Sequence, residues 1–515
     1  METIILLILF FALMIGIGLY CRRHATNVSD FVLGGRNVGA WMSAFAYGTS
    51  YFSAVVFIGY AGQFGWTFGV SAVWIGIGNA FLGSLLAWAL MGNRTRLMSK
   101  HLQAATMPEF FGKRYNSHTI KTVSAVIVFV FLIPYSASVY NGLSRLFGMA
   151  LNMDYKLSII LMAALTALYV ILGGYMATAV ADFIQGLIMI GGITAVVVAA
   201  LSSKGGFYSA MIQLSQTPSE TTLTEGLQGA YTSMLGPDPL NLIGVVLLTS
   251  IGTWGLPQMV HKFYAIRDRK AVRIGMMIST AFAVIIAGGS YFLGSLGRLF
   301  VTKEDFTVEG GRLAYDMIVP SMLKAALPDI LIGVVVVLVL SASMSTLSSL
   351  VMSSSSTITL DLIKPLVKGT MSEKRQLLIM RLFIAFFIIL SVILALNPNT
   401  YISTLMSISW GALAGSFIAP FLYGLFWKRV TRQAVWASFI TGVGITVTHM
   451  FVFSLGLFPQ LKMADIGINL ASPVNAGAFA MLVGFVIVPI VSLMTKAPDA
   501  GHTDEVFACY KDEII

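Results

Sequence analysis

Long apolar runs separated by short polar joints dominate this chain. A helix needs about 20 mostly apolar residues to cross a bilayer. About thirteen runs meet that length, near 3–20, 39–62, 69–91, 119–146, 157–176, 179–201, 238–260, 274–297, 328–360, 378–396, 401–426, 434–455 and 474–494. The pattern predicts an all-α polytopic membrane protein. Its joints alternate in charge. Arg22, Arg23 and Arg36 follow the first run; Arg94, Arg96, Lys100, Lys113 and Arg114 follow the third. Lys262, Arg267, Arg269, Lys270 and Arg273 follow the seventh, Lys364, Lys368, Lys374 and Arg375 the ninth, and Lys428, Arg429 and Arg432 the eleventh. The intervening joints carry single basic residues (Lys156, Lys204, Lys462) or, at 298–327, mixed signs. Basic loops stay in the cytoplasm, so the N-terminus is expected outside, the C-terminus inside, and the number of spans odd. The first run ends in Cys21-Arg22-Arg23 with no small-residue cleavage site and no basic leader, which predicts a retained span.

The ninth run changes character halfway. After the apolar stretch 331–340, residues 341–357 read Ser-Ala-Ser-Met-Ser-Thr-Leu-Ser-Ser-Leu-Val-Met-Ser-Ser-Ser-Ser-Thr. Hydroxyls deep in a membrane face protein, water or an ion. Small residues also let helices pack closely, and both readings stay open here. Sodium takes hard oxygen ligands, and hydroxyls with freed carbonyls supply them. Two other runs carry break signals. Ala46-Tyr47-Gly48-Thr49-Ser50-Tyr51-Phe52-Ser53-Ala54 in the second and Thr249-Ser250-Ile251-Gly252-Thr253-Trp254-Gly255-Leu256-Pro257-Gln258 in the seventh mix Gly, hydroxyls and aromatics mid-span, and Pro257 removes an amide donor. Discontinuous helices in matching positions of two repeats mark transporter sites. Asp182 stands near the start of the sixth run, as a helix-dipole stabiliser or as a charge that admits a cation.

Composition narrows the class. Of 515 residues, 57% are hydrophobic and only 10% charged, against about 25% charged in soluble domains. The net charge of +10 fits retained basic loops better than nucleic acid. Cys21 and Cys509 sit near opposite ends and make no disulfide framework or metal motif. A membrane enzyme is disfavoured, since His261 abuts a basic joint and His24, His101 and His118 lie in loops. Segments 202–237 and 298–327 look like short lids. The tail 495–515, with Asp499, Asp504, Glu505, Asp512 and Glu513, is expected to be solvated.

These residues resemble a known family. Asp30-Phe31-Val32-Leu33-Gly34-Gly35-Arg36, 106–115 (Thr-Met-Pro-Glu-Phe-Phe-Gly-Lys-Arg-Tyr), Gly173-Gly174 with Ala181-Asp182-Phe183-Ile184-Gln185, and Met344-Ser345-Thr346-Leu347-Ser348-Ser349 are similar in order and spacing to motifs of the sodium/solute symporters. That family includes bacterial proline, pantothenate, sialic-acid and sugar symporters and animal sodium/glucose transporters. Ala181 replaces the usual Thr. Asn397-Pro398 and Phe426-Trp427-Lys428-Arg429 look most like the proline branch.

The resemblance implies a five-plus-five inverted repeat with broken first helices in a single transmembrane domain, 1–500. It divides as an extra helix and loop at 1–38, repeat one at 39–201, repeat two at 238–426, C-terminal helices at 427–494 and a cytoplasmic tail at 495–515. It implies Na⁺ as coupling ion, bound by the carbonyls of Thr49, Phe52 and Ala342 and the hydroxyls of Ser345 and Thr346. Ala342, Ser345, Thr346 and Ser349 also share one helical face by spacing alone. A second sodium, as in some relatives, would take Ser345, Ser348, Ser349 and Asp182. Ser53, Tyr140, Thr253, Trp254, Gln258 and Trp410 are candidate solute contacts. The resemblance further implies alternating-access import of a small organic solute across a bacterial-type plasma membrane, an amino acid such as proline first. Monocarboxylate, pantothenate or sugar symport, a solute sensor and proton coupling through Asp182 are the alternatives. The expected partners are the solute and membrane lipid, with neither nucleic acid nor an obligatory protein. The chain departs from the proline branch at Tyr51, where an Asp is usual, and 135–141 lacks an Arg for a sugar-acid carboxylate.

Overall fold

The computed structural model describes residues 2–22, 27–308, 312–367, 371–396, 402–454 and 467–513. Arg23, His24, Lys368, Asn397, Pro398 and Lys462 lie outside the described residues. The described chain is helical apart from a short antiparallel pair, Thr307–Val308 with Arg312–Leu313, and an isolated bridge between Val38 and Ile266.

Among the described residues, ten helices are long and apolar enough to cross a membrane, eleven with one bent pair. The difference from about thirteen runs lies in two long helices. Val55–His101 takes in part of the second run and all of the third, and Tyr155–Ser202 takes in the fifth and sixth. A straight helix of 48 residues would extend about 72 Å at 1.5 Å per residue, over twice the apolar thickness of a bilayer. Tyr155–Ser202 turns at Gly174, whose φ of 58° and ψ of −155° suit glycine alone. Asp182 follows eight residues later. It is fully buried within the protein.

Burial sorts the helices into core and rim. Ile402–Phe426 is 89% buried across its apolar window and Asp329–Leu366 72%, whereas the first helix and Glu373–Ala395 are 33% buried. The hydroxyl helix, Asp329–Thr357, packs on Tyr155–Ser202, His118–Leu151 and Ala40–Tyr51. Every residue from 341 to 360 is buried, so none of these hydroxyls faces lipid.

Both expected breaks are present. Ala40–Tyr51 stops at Phe52, which is extended (φ −105°, ψ 104°), and Val55–Tyr60 resumes as a π-turn. Pro239–Ser250 tightens into Ile251–Gly255 and breaks at Leu256 (φ −83°, ψ 122°). The residue before a proline is pushed out of the helical region, and Pro257 is pre-set for the first turn of Pro257–Ala265. The two halves meet at 48°.

The joint motifs hold the ends of the bundle. Arg36 donates to Ser99 Oγ (3.2 Å) and to the carbonyls of Tyr264 (3.2 Å) and Ala104 (2.5 Å). Met107–Arg114 is capped by Thr106, which accepts from the amide of Glu109 (3.1 Å). Arg114 then donates to the carbonyls of Gly424 (2.9 Å) and Trp427 (3.0 Å), a cation on the negative end of Ile402–Phe426. The tail docks through its apolar side, while Asp499, Asp504 and Glu505 stay exposed as expected. Ala500–Phe507 buries Val506 and Phe507, Lys428 pairs with Asp504 at 2.5 Å, and Tyr510 stacks with Arg94.

Candidate functional site

The first break frees backbone carbonyls beside the hydroxyl helix. In an unbroken helix the amides of Ala54 and Val55 would bond the carbonyls of Ser50 and Tyr51. Instead Ala54 donates to Ser343 Oγ and Val55 to Ser53 Oγ, each at 3.2 Å. Thr346 Oγ1 lies 3.4 Å from the Thr49 carbonyl, 3.4 Å from that of Ser50 and 3.1 Å from that of Ala342. A hydroxyl carries one proton, so it satisfies one of three converging acceptors. Ser345 Oγ is buried one residue away with no hydrogen bond. Uncharged oxygens exceed donors here, and a small hard cation fits that imbalance. Thr49, Ala342 and Thr346 of the five expected sodium ligands thus meet at one place, while the neighbouring Ser345 hydroxyl lies beside Asp182. Phe52 supplies the extended backbone beside them, and Ser50 joins as a carbonyl the sequence reading did not name.

The second group is built differently from expectation. Asp182 is buried with neither carboxylate oxygen hydrogen-bonded, and Ser345 lies beside it. Ser348 donates to the Ser345 carbonyl (2.8 Å), and Ser349 Oγ meets Ser50 Oγ at 2.7 Å. Into this cluster reaches Lys262, whose Nζ is 2.9 Å from Ser349 Oγ and 3.7 Å from Asp182 Oδ2. Lys262 counts as a loop residue in the sequence pattern. In the structure it is a 2%-exposed residue of Pro257–Ala265. Val260, Phe263, Tyr264 and Ala265 flank it with apolar positions, the signal that the seventh span runs five residues past its expected end.

The candidate solute contacts divide. Trp410 meets Tyr135 edge-on at 5.8 Å and Tyr51 at 6.1 Å, and Ser53 neighbours Tyr135. The Trp410 indole nitrogen, Tyr135 hydroxyl and both polar atoms of Gln258 are buried without hydrogen bonds. Tyr140, on the same helix as Tyr135, lies beside Thr166 of Tyr155–Ser202. Thr253 donates to the Ser250 carbonyl (2.7 Å) and Trp254 to that of Leu82 (3.1 Å), so both are engaged within the scaffold. Tyr135, absent from the expected contacts, carries the same signal as Trp410, a polar-tipped aromatic in a buried span. Tyr51 stacks on Phe52 (4.5 Å) and its hydroxyl donates to the Thr249 carbonyl, joining the two broken helices. A cavity of about 10 Å³ beside Phe52, Ser53, Ser290 and Ala342 is too small for more than about one water, so the break is closed in this form.

Comparison with known proteins bears on this geometry. The chain matches the sodium:solute symporter family over residues 31–442. It is 28% identical over 502 residues to the osmoregulated proline transporter OpuE of Bacillus subtilis (strain 168), covering 96% of each chain. It is 27% identical over 512 residues to the sodium/proline symporter of Staphylococcus aureus (strain JH9), covering 97% of this chain and 94% of the relative. Among solved structures, a Na⁺-coupled sialic acid symporter in a substrate-bound outward-open state superposes with a TM-score of 0.74 at 17% identity, covering 97% of this chain and 98% of the other; that likeness concerns the fold.

Proposed function

The chain belongs to the sodium:solute symporter family and is an integral membrane, sodium-coupled solute symporter and not an enzyme; on that premise we propose that it imports a small amino acid, proline first, by alternating access, with Na⁺ bound between the first broken helix and the hydroxyl helix. The observation that carries the ion site is Thr346, one proton donor amid the carbonyls of Thr49, Ser50 and Ala342. Ser345 completes the shell with its unbonded hydroxyl. The solute lies against Ser53 and against Trp410, Tyr135 and Gln258, whose polar atoms are buried without a geometric hydrogen bond. Thr253 and Trp254 shape the second break from behind.

The protein sits in a bacterial plasma membrane with its N-terminus outside and its C-terminus inside. Arg94, Arg269, Arg273 and the tail's Tyr510 line one surface cavity of about 430 Å³, so basic joints from separate loops share a side, as cytoplasmic loops do. Coupling requires ion and solute to favour the same state. Sodium draws the freed carbonyls onto the hydroxyl helix and so completes the wall on which the solute rests.

Radiolabelled uptake of proline, other amino acids, short carboxylates, pantothenate and sugars into vesicles, with and without a sodium gradient, identifies the solute. Proline uptake that collapses without sodium is the expected result; sodium-independent uptake across pH overturns the ion assignment. Thr346→Ala and Ser345→Ala each remove one uncharged oxygen from around a cation, worth about 1.5–3 kcal/mol. Sodium for half-maximal uptake should rise about ten- to a hundredfold.

A further inference from the structure

Resting on the symporter reading above, we propose that the ammonium of Lys262 takes the place of a second coupling cation, so that the protein binds one sodium ion, at Thr346, and none at Asp182. One carboxylate and three hydroxyls, from Asp182, Ser345, Ser348 and Ser349, compose a donor set that suits Na⁺. The chain's own cation is already among them, 2.9 Å from Ser349 Oγ and 3.7 Å from Asp182 Oδ2. The Lys262 side chain is 2% exposed and that of Asp182 fully buried. The ring of Tyr175 lies 5.3 Å from the same nitrogen and offers its negative face.

Charge works against a second ion. Asp182 and Lys262 together are neutral. A sodium ion added about 4 Å from the ammonium, at an effective dielectric of about 20, loses on the order of a thousandfold in affinity. Two of the three hydroxyls are also held in place by other partners. Ser349 Oγ accepts from Lys262 and pairs with Ser50 Oγ, and Ser348 Oγ donates to the Ser345 carbonyl. Lys262 belongs to the second broken helix and Asp182 to Tyr155–Ser202, so the tethered cation closes the same inter-repeat seam that a free ion would.

Counting radioactive sodium bound to the purified full-length protein tests this without knowledge of the solute. The wild type should bind one ion per chain with a Hill coefficient of about 1. Lys262→Met exposes Asp182 to solvent ions and should bind two, with a Hill coefficient rising toward about 2. Lys262→Arg should keep one, and the Lys262→Met/Asp182→Asn pair should return to one. Two ions in the wild type overturn the proposal, and so does a single ion in Lys262→Met that still binds sodium at the Thr346 site. Should Lys262→Met fail to fold, the wild-type count alone decides. No bound sodium in the wild type overturns the ion assignment itself, an outcome separate from a count of two.

Discussion

Tyr51 shows how much a single side chain carries at the joint of two broken helices. Its ring stacks on Phe52, the residue at which one helix stops, and its hydroxyl donates to the Thr249 carbonyl in the last turn before the other stops. A buried carbonyl left without a donor costs about 1–3 kcal/mol. Tyr51→Phe should therefore slow uptake about five- to a hundredfold by loosening the closed arrangement. It should leave the sodium requirement nearly unchanged, because Tyr51 offers the ion no ligand; initial-rate uptake over a sodium series reads both. Thr346 and Ser345 were legible from sequence because helical spacing puts them on one face with Ala342 whatever the tertiary detail. Lys262 was not, because its meaning depends on where a span ends, and a basic residue at an apolar boundary reads as the first residue of a loop.

Helices in this bundle meet backbone to backbone where glycine permits. A Cβ on Gly294 would fall on the carbonyl of Ala61, and one on Gly65 on the backbone of Gly294. Neither obstacle is a flexible side chain, so both helices must separate. Gly294→Ala should destabilise the protein by about 1–3 kcal/mol, seen as a lower melting temperature in detergent; an unchanged melting curve would mean the two helices are already apart. The sequence disclosed the two breaks because Gly, hydroxyl and Pro clusters act locally. It also divided 157–201 into two runs, and the structure has two helical segments there that meet at the non-helical Gly174, because a glycine pair between apolar runs is a local signal. The exposed acids of the tail were legible, but the docking of its apolar side was not, because that depends on Arg94 and His101, residues far away in the chain.

At the scale of the molecule, closure is secured at both ends of the bundle. Arg36 fastens one end. At the other, Arg298 lies between the rings of Trp66 (4.2 Å) and Tyr231 (3.9 Å) and, with Lys303, pairs with Glu220 of the 202–237 segment at 3.0 Å. Partial burial raises the Glu220 carboxyl, but Lys303 and Arg298 outweigh it and hold the group below its usual range. The folded value is depressed, so this stabilisation is present above the unfolded value of about 4.3 and is lost as pH falls through the folded one. Protease nicking of 202–237 should stay constant from about pH 8 to pH 5 and rise below about pH 4, and Glu220→Gln should nick at one raised rate throughout. The two-ended arrangement was only partly legible, since lids were expected at both segments but the ion pairs joining them were not. The Lys262 pairing reaches further, to the energy economy of the host cell. An ammonium bolted to the chain never leaves with the cargo, so it adds nothing to the concentrating power of the cycle. With one dissociable ion, a tenfold sodium gradient and about 100 mV sustain at most about a 500-fold accumulation of a neutral solute; a second ion would square that ceiling. Such a pump suits a scavenger of moderately scarce nutrient, working cheaply where a steeper ratio is not required.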